Sequence, residues 1–418
     1  MDSAAYSQAR THRSRLDGVT FVGITGSCGK TTTKDLAAGL LAPVLWGTSN
    51  PGSGNCGADL VRQILQVDQA HAFCIQELGA WGPRTLDAGL ELVRPDIGVV
   101  LNVRRDHYSG FRGLEGTAAE KAKVVACLPA DGTAILNADD PLVAAMRART
   151  RARVVTFGAG DPADLRAEHV HGAWPDRLSF DLRFQGGRRR VQTQLLGEHL
   201  AGSALAALAI MHALDVPLDA AVDRLAVLPP THRRMSASLT RSGVAVVRDD
   251  FKAASDSLGE LLRFVATASA PRTILVVGQV SDYPGRSRPI YTSFADAAAK
   301  VADLLVFVGD RPEALWGGAR RRAPGFLAEF GGQRARVALF ATVRDASRFL
   351  ENELKPGDLL VLKGSGATDH LERIVLTQEE EVGCWRAQCG LVTSCDDCAR
   401  LGEPAGPGDA LTAAALEG

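Results

Sequence analysis

A glycine-rich segment that directly follows an apolar stretch constrains this chain more than any other feature of its sequence. Residues 19–22 read VTFV, and residues 23–33 read GITGSCGKTTT. A strand that runs into a glycine turn and then a helix directs backbone N–H groups and a helix N-terminus at an anion. The usual phosphate-binding pattern is G-x-x-x-x-G-K-[ST], but Ile24 stands in place of its first glycine. The narrower pattern T-G-x-x-G-K-T-T-T therefore predicts a nucleoside triphosphate site.

The residue types within this loop indicate separate roles. A side chain at Gly26 or Gly29 would obstruct a phosphate in the tight turn. Lys30 can place a positive charge on the β- and γ-phosphates, and the hydroxyl of Thr31 can bind Mg²⁺. The predicted nucleotide-binding residues of the loop are Gly26, Ser27, Cys28, Gly29, Lys30, Thr31 and Thr32.

Apolar strand candidates alternate with helical segments along most of the chain. This alternation predicts an α/β fold, in which a P-loop central domain with a mostly parallel sheet is followed by a second Rossmann-like α/β domain. Short alternating segments in residues 154–194 predict an antiparallel edge or a β-rich insert. We expect an ATP-binding domain over 1–230, a second α/β domain over 231–380, and a cysteine-rich segment with a flexible tail over 381–418.

Composition and charge exclude several classes of protein. The formal net charge of −1 gives no general attraction to nucleic acid or to an anionic membrane. Residues 1–18 are polar and charged, unlike a signal peptide. The most apolar window, 200–216, falls short of the roughly 20 residues needed to cross a bilayer, and predicts a buried, alanine-rich helix. We therefore expect a cytoplasmic protein.

Three further polar segments follow predicted strands or lie on the helix behind them. The segment IQELG places Glu77 at one strand end, NVRRDH places His107 beyond another, and Lys121 follows on a helix. Ligands collect beyond the carboxyl ends of strands in open parallel sheets. Taken singly, Glu77 reads as a turn residue and the Asp106–His107 pair as a hydrogen-bonded corner. Together with a phosphate loop, they predict an Mg²⁺ site.

These motifs resemble those of the Mur ligases, a family of ATP-dependent ligases that form amide bonds. The loop TGSCGKTTT is similar to their phosphate loop, and ELGA and NVRRDH are similar to their two magnesium-site segments. Residues 114–140 resemble the branch that ligates D-Ala-D-Ala to a muramoyl tripeptide. The resemblance extends over residues 18–375. It includes matches to an interdomain arginine at Arg234 and to the acid Asp250 that opens the second domain, and it implies that both residues bind the nucleotide cofactor.

The resemblance implies ATP and Mg²⁺ as cofactors and a defined reaction. ATP phosphorylates a carboxylate, and an amine attacks the acyl phosphate to give an amide, ADP and phosphate. Lys30, Glu77, His107 and Lys121 are the implied catalytic residues, and Thr31, Glu77, His107 and Lys121 are the implied metal-site residues. Lys121 aligns with a lysine that the family carboxylates with CO₂. An ordinary solvent-facing lysine at this position and the nearby Lys123 are the alternatives.

The sequence departs from the family pattern in ways that affect substrate choice. About twenty residues precede the P-loop, so we expect no UDP-sugar-binding domain and an acid substrate without a UDP-sugar. Leu200 and Ser203 replace two asparagines, one of which faces the nucleotide base in the family, and Asn137 is a candidate substitute. Residues 251–255 and Gly366 differ where the amine is selected, which indicates an altered acceptor.

These observations favour a carboxylate–amine ligase that acts on a small-molecule acid and an amine or amino acid in a biosynthetic pathway. A peptidoglycan-modifying ligase that works with a partner subunit is the alternative enzyme. A catalytically silent nucleotide-binding scaffold is the alternative of another class.

Four cysteines form a separate cluster near the end of the sequence. Their spacing is Cys384-x₄-Cys389-x₅-Cys395-x₂-Cys398, of which Cys395-x₂-Cys398 fits a standard zinc knuckle cleanly. Four thiolates are enough for a closed tetrahedral Zn²⁺ site. Free or redox-active thiols and an iron–sulfur cluster are the alternatives.

Overall fold

The computed structural model describes residues 3–105, 108–111, 113–282, 287–309, 327–329, 336–366, 368–387, 389, 391 and 393–404. The chain divides into two compact units, Met1–Thr231 and His232–Gly418. Each unit contains a mostly parallel sheet with helices, which confirms the predicted fold class.

The first unit is organised around a sheet of nine strands. The strands are β1 Thr20–Thr25, β2 Gly47–Ser49, β3 Phe73–Glu77, β4 Ile97–Val100, β5 Thr133–Asn137, β6 Arg153–Gly158, β7 Leu165–His171, β8 Ser179–Phe184 and β9 Gly187–Gln192. Their order in the sheet is β2-β3-β1-β4-β5-β6-β7-β8-β9. The pairs from β2 to β7 are parallel, whereas β8 pairs antiparallel with both β7 and β9. This arrangement confirms the antiparallel edge expected for residues 154–194.

The helices of the first unit mostly connect the parallel strands. They are α1 Ser3–Arg13, α2 Lys30–Leu41, α3 Gly57–Gln66, α4 Asp87–Val93, α5 Tyr108–Phe111, α6 Leu114–Ala126, α7 Pro141–Ala144, α8 Ala201–Ala213 and α9 Leu218–Leu225. Helix α8 is the buried, alanine-rich helix expected for this region, and it packs against α2. Of the helices in the described part of the chain, none has the length and apolar character that a membrane span requires.

Strand β1, which leads into the glycine-rich loop, is buried in the interior of the sheet. Its apolar side chains Phe21, Val22 and Ile24 are fully buried, because parallel sheets are covered on both faces. Burying each such side chain contributes about 1.5–3 kcal/mol. The strand pairs with β3 on one side and β4 on the other, so the loop at its carboxyl end starts from a fixed central position.

The second unit contains a sheet of seven strands in the order β10-β11-β16-β12-β13-β15-β14. The strands are β10 Ser236–Leu239, β11 Ala245–Asp249, β12 Thr273–Val277, β13 Leu304–Val308, β14 Leu327–Glu329, β15 Arg336–Phe340 and β16 Leu359–Lys363. The two edge strands are antiparallel and the inner pairs are parallel. The helices are α10 Leu258–Thr267, α11 Ser287–Ala298, α12 Val343–Glu353 and α13 Glu372–Leu376.

Candidate functional site

The glycine turn between β1 and α2 has no room for a side chain at its second glycine. Gly29 precedes α2 with φ +84°, a left-handed conformation that favours glycine. A Cβ atom there would lie 2.9 Å from Ser203 Oγ on helix α8. Ser203 therefore packs directly against the loop.

Asn102 fixes the shape of the loop from the end of the neighbouring strand. Its Oδ1 accepts hydrogen bonds from the backbone N–H groups of Ser27 and Cys28, both at 3.0 Å, and its Nδ2 donates to the carbonyl oxygen of Cys28 at 3.1 Å. These two N–H groups were predicted to bind nucleotide, whereas here they bind Asn102. Asn102 was not among the site residues predicted from sequence, although an asparagine two residues beyond β4 was a usable signal.

Lys30 is the first residue of helix α2, and its side chain contacts the backbone of the loop. Its Nζ donates a hydrogen bond to the carbonyl oxygen of Gly26 at 2.8 Å. The ammonium group is therefore held beside the turn that is predicted to surround the phosphates.

A carboxylate and a hydroxyl meet directly behind the loop. Thr31 Oγ1 donates to Glu77 Oε2 at 2.8 Å, and both residues are nearly buried, at 7% and 2% exposure. Asn55 Nδ2 donates to the other oxygen, Oε1, at 2.8 Å, and Asn50 Oδ1 accepts from the backbone N–H of Glu77 at 2.8 Å. Thr31 and Glu77, both expected at the metal site, therefore lie together. The loop of residues 48–55 resembles one that contacts the carboxylate substrate in the family and could equally be a plain turn, but its sequence did not indicate that Asn50 and Asn55 orient Glu77.

The lysine expected at the metal site lies inside the first unit. Lys121 on α6 is 0% exposed, so the alternative of a solvent-facing lysine is wrong. Its competitor Lys123 forms ion pairs with Asp87 and, at 2.9 Å, with Glu120. Burial lowers the pKa of Lys123, but the hydrogen bonds and charges of Asp87 and Glu120 outweigh it and leave the pKa above its usual value. His107 lies outside the described residues.

Asn137, the candidate for base recognition, bonds to the backbone through both ends of its amide. Its Nδ2 donates to the carbonyl oxygen of Leu101 at 2.8 Å, and its Oδ1 accepts from the N–H of Asp139 at 2.9 Å. These bonds give Asn137 a structural role at the end of β5, and its contact with a nucleotide base stays a prediction.

In the second unit, Asp250 is the centre of a buried ion network. Arg233 Nε donates to Asp250 Oδ1 at 3.1 Å, and Arg248 Nη2 donates to Oδ2 at 3.1 Å. Arg233 Nη2 also reaches Glu372 Oε2 at 3.2 Å. Both carboxylate oxygens of Asp250 are engaged, which gives it a positioning role, and its predicted cofactor contact stays a prediction.

The arginine singled out by sequence is the neighbour of the one in this network. The Arg234 guanidinium lies 4.1 Å from the ring centre of Phe251, in cation–π geometry. Arg233 was not predicted from sequence, since two adjacent arginines give no local signal that separates a buried one from a stacked one. A Cβ atom at Gly366 would lie 2.1 Å from Arg233 Nη2, so the Arg233 side chain fills the space beside that glycine.

The loop after β16 encloses a carboxyl group with an unusual pKa. Asp369 Oδ2 accepts hydrogen bonds from the N–H groups of Ser365 at 2.7 Å and Gln279 at 3.0 Å. Burial raises the pKa of Asp369 to about 7, and the charge of Glu372 adds to this, although the hydrogen bonds act in the opposite direction. At the base of the loop, Lys363 Nζ pairs with Asp249 Oδ2 at 2.5 Å.

The four late cysteines all carry free thiols and line a cavity of about 10 Å³. Cys384 and Cys395 are buried, and Cys389 and Cys398 are half-buried. Within the described part of the chain, three metal-capable side chains with ligand atoms within 4.8 Å of one another occur at His370, Glu372 and Cys395. Among the described residues, no three of the four late thiols meet this distance, so the structure does not bring them together as the predicted Zn²⁺ site.

Comparisons with known proteins agree with this architecture. The Mur ligase middle domain matches residues 24–211, and the Mur ligase glutamate ligase domain matches residues 233–366. The chain is 31% identical over 368 residues to the UDP-N-acetylmuramoyl-tripeptide–D-alanyl-D-alanine ligase of Mycobacterium tuberculosis, covering 84% of this chain and 71% of that one.

Solved structures show the same fold. MurF from Acinetobacter baumannii has a TM-score of 0.79 at 23% identity, with 90% of this chain and 80% of that chain covered. MurF ligase from Thermotoga maritima, solved in complex with ADP, has a TM-score of 0.77 at 22% identity, with 91% and 84% covered. With its phosphate loop, its two α/β units and these matches, the chain belongs to the Mur ligase family of ATP-dependent, amide-bond-forming ligases.

Proposed function

We propose that this chain joins a carboxylate to an amine through an acyl phosphate. A carboxylate oxygen attacks the γ-phosphorus of ATP, and ADP leaves. The amine nitrogen then attacks the carbonyl carbon, phosphate leaves, and the nitrogen loses a proton. The observation that carries the proposal is the pairing of Thr31 with Glu77, 2.8 Å apart, directly behind a loop that holds Lys30. Such a transfer between anions depends on positioning and charge neutralisation.

The donor set behind the loop fits Mg²⁺. This ion prefers hard oxygen ligands and binds through one or two carboxylates together with phosphate oxygens. The Glu77 carboxylate and the Thr31 hydroxyl would hold it, and Asn55 fixes the carboxylate orientation. When bound, Mg²⁺ neutralises charge on the phosphates. Lys30 contributes a second positive charge at the same loop.

Lys121 is proposed to be the carboxylated lysine of this site. A buried ammonium group is costly because desolvation disfavours its charged form. Addition of CO₂ to the uncharged amine releases a proton and converts the side chain to an anionic carbamate. Its full burial on α6 supports this assignment, as do the ion pairs that engage Lys123.

Matched variants separate the two lysines. Lys121→Gln is expected to abolish amide formation, whereas Lys123→Gln is expected to retain it. A carbamate carbon signal in ¹³C NMR after growth with labelled bicarbonate would appear in wild type and Lys123→Gln and vanish in Lys121→Gln. The assignment fails if both variants keep the signal.

The amine substrate is proposed to differ from D-alanyl-D-alanine, which the names of the relatives specify. Two features of the second unit support this. Gly366 has no side chain where the resembling ligases have an arginine, and Arg233 fills that space instead. Residues 251–255 read FKAAS, and the Phe251 ring stacks under Arg234.

The test is a screen for ADP release that requires both an acid and an amine, with mass detection of the amide. One arm uses UDP-N-acetylmuramoyl tripeptide, and the other uses carboxylates without a UDP-sugar. Lys30→Ala and Glu77→Ala should each abolish coupled ADP release. Nucleotide binding without phosphate release across the whole panel would instead favour a silent scaffold. Activity that appears only with a copurified chain would favour the partner-dependent ligase.

A further inference from the structure

A buried lysine on helix α2 lies close to the threonine of the candidate metal site. Lys34 is 2% exposed and follows Thr31 by three positions, so the two side chains share one face of the helix. An ammonium group at this depth needs partners, because burying an unpaired charge is costly. Lys34 Nζ donates to Asp35 Oδ1 at 2.6 Å and to the carbonyl oxygen of Asn50 at 2.8 Å. One partner is therefore a neighbouring carboxylate, and the other belongs to the loop that follows strand β2.

The loop that Lys34 holds carries the groups that fix Glu77. Asn50 is fully buried, and its Oδ1 accepts a hydrogen bond from the Glu77 N–H at 2.8 Å. Its Nδ2 donates to the carbonyl oxygen of Gly54 at 2.6 Å, which closes the loop just before Asn55. Asn55 in turn donates to Glu77 Oε1 at 2.8 Å. Through Asn50, Lys34 therefore supports both the backbone and the carboxylate of Glu77.

The other partner of Lys34 connects it to the end of the first unit. Thr231 is the last residue of that unit, and its Oγ1 donates to Asp35 Oδ2 at 2.8 Å. Asp35 thus accepts from Thr231 through one carboxylate oxygen and from Lys34 through the other. The hydrogen bonds form one continuous series, which runs through Thr231, Asp35, Lys34, Asn50 and Glu77.

We propose that Lys34 is a positioning residue for the Mg²⁺ site, and that its bond to Asn50 holds Glu77 in the orientation that binds the ion. The inference rests on the proposed function, because that function assigns Glu77 to Mg²⁺. A buried charge pair often stabilises a fold no more than apolar side chains of the same volume would. The main consequence of the Lys34–Asp35 pair is therefore the position that it imposes on Asn50.

Metal binding without turnover tests the proposal. Mn²⁺ is the probe, and its binding is followed by EPR in the presence of β,γ-imido-ATP, which does not transfer its phosphoryl group. Lys34→Met keeps an unbranched side chain but removes the ammonium group. It should weaken Mn²⁺ binding by at least about tenfold, as is typical when a residue that orients a metal ligand is removed. Affinity for the same nucleotide in EDTA should stay unchanged, because Lys34 holds the loop that orients Glu77.

Arg13→Met is the matched control in the first unit. Arg13 is also a buried cation that holds backbone carbonyl oxygens, those of Val93 at 2.8 Å and Arg94 at 2.9 Å. Its removal should lower stability and leave Mn²⁺ affinity unchanged, because these carbonyl groups lie at the end of helix α4. An equal loss of Mn²⁺ affinity in Arg13→Met and Lys34→Met would overturn the inference, since general destabilisation would then explain both.

Variants of Thr231 cover the case in which Lys34→Met does not fold. Thr231 is half-buried, at the other end of the series of hydrogen bonds. Thr231→Val deletes the hydroxyl that holds Asp35, and it should weaken Mn²⁺ binding by about threefold. Thr231→Ser keeps the hydroxyl and should restore the affinity of wild type. Equal Mn²⁺ affinity in Thr231→Val and Thr231→Ser would contradict the coupling through Asp35.

Glu77→Gln separates failure of this inference from failure of the proposed function. The inference alone is overturned if Glu77→Gln loses Mn²⁺ while Lys34→Met and Thr231→Val bind it as wild type does. If Glu77→Gln also binds Mn²⁺ as tightly as wild type, the assignment of Glu77 to the metal fails, and the inference fails with it.

Discussion

Thr31 donates a hydrogen bond from its hydroxyl to Glu77 Oε2 at 2.8 Å, and so joins the first turn of helix α2 to the carboxyl end of strand β3. Asn55 donates to the other carboxylate oxygen. The carboxylate is therefore held in one orientation by two neutral donors. Neither donor carries a positive charge, so neither replaces a divalent cation as the partner of the carboxylate.

Replacing the Glu77 carboxylate with an amide of the same shape should selectively remove its role in binding Mg²⁺. Glu77→Gln is expected to lower coupled ADP release by at least about a hundredfold, because an amide cannot replace a carboxylate that offsets a cation. Magnesium titration of turnover measures this effect. Glu91→Gln changes a half-exposed carboxylate of the same unit and is expected to leave turnover unchanged. Equal turnover in wild type and Glu77→Gln would remove Glu77 from the site.

Asn102 should control nucleotide affinity through the shape of the loop. Asn102→Ala deletes the acceptor for the N–H groups of Ser27 and Cys28. Each such hydrogen bond contributes about 0.5–1.5 kcal/mol, so we expect ATP affinity to fall by about tenfold. Isothermal titration calorimetry with ATP measures it. Asn352→Ala, on an exposed face of α12, is the matched control. Unchanged affinity in Asn102→Ala would mean that the loop keeps its shape through its backbone alone.

Local patterns in the sequence were sufficient to predict the parallel sheets and the phosphate loop. Apolar strand runs, helical periods and the glycine turn act over a few residues, so each is readable without the fold. Glu77 was found for the same reason, since it ends a strand. Asn102 was missed because its partners lie 74 and 75 positions away.

The ion network around Asp250 in the second unit also joins residues that are far apart in sequence, so local patterns could not predict it. Arg233 and Glu372 are separated by 139 positions, and only the packing of α13 brings them together. The sequence motif pointed to Arg234 alone, and its neighbour Arg233 was not a candidate. Burial separates them, because Arg233 is 5% exposed and its partners are carboxylates, whereas Arg234 stacks on a ring. Which of the two arginines is buried depends on tertiary contacts, and sequence spacing does not specify them.

Removing Arg233 should destabilise the second unit strongly. Arg233→Leu leaves Asp250 and Glu372 buried with one fewer cationic partner. Breaking a buried pair in this way costs about 3–5 kcal/mol. Arg241→Leu breaks an exposed pair with Glu379, and such surface pairs contribute about 0–1 kcal/mol. Chemical denaturation of both variants measures the difference, and equal free energies of unfolding would contradict a structural role for the network.

Asp369 should make stability depend on pH in the opposite sense to most carboxylates. Its folded pKa of about 7 lies above the ordinary value of 3.8, mainly because burial disfavours the charged form. The folded state therefore binds a proton that the unfolded state has lost. Its contribution is fully present below about pH 4 and disappears as pH rises to about 7, with a total on the order of a few kcal/mol.

The neighbouring His370 changes the stability in the opposite direction as pH changes. The pH profile of wild type alone therefore does not isolate the contribution of Asp369. Its folded pKa of about 4 lies below the ordinary 6.5, so its contribution is lost as pH falls. The informative quantity is the difference in free energy of unfolding between wild type and Asp369→Asn, measured from pH 4 to pH 8. Asparagine keeps an acceptor for Ser365 and Gln279 but cannot titrate. The stability of wild type relative to the variant should decrease between pH 4 and 7 and level off above. Parallel pH profiles for the two proteins would show that Asp369 is ionised in the folded state throughout that range.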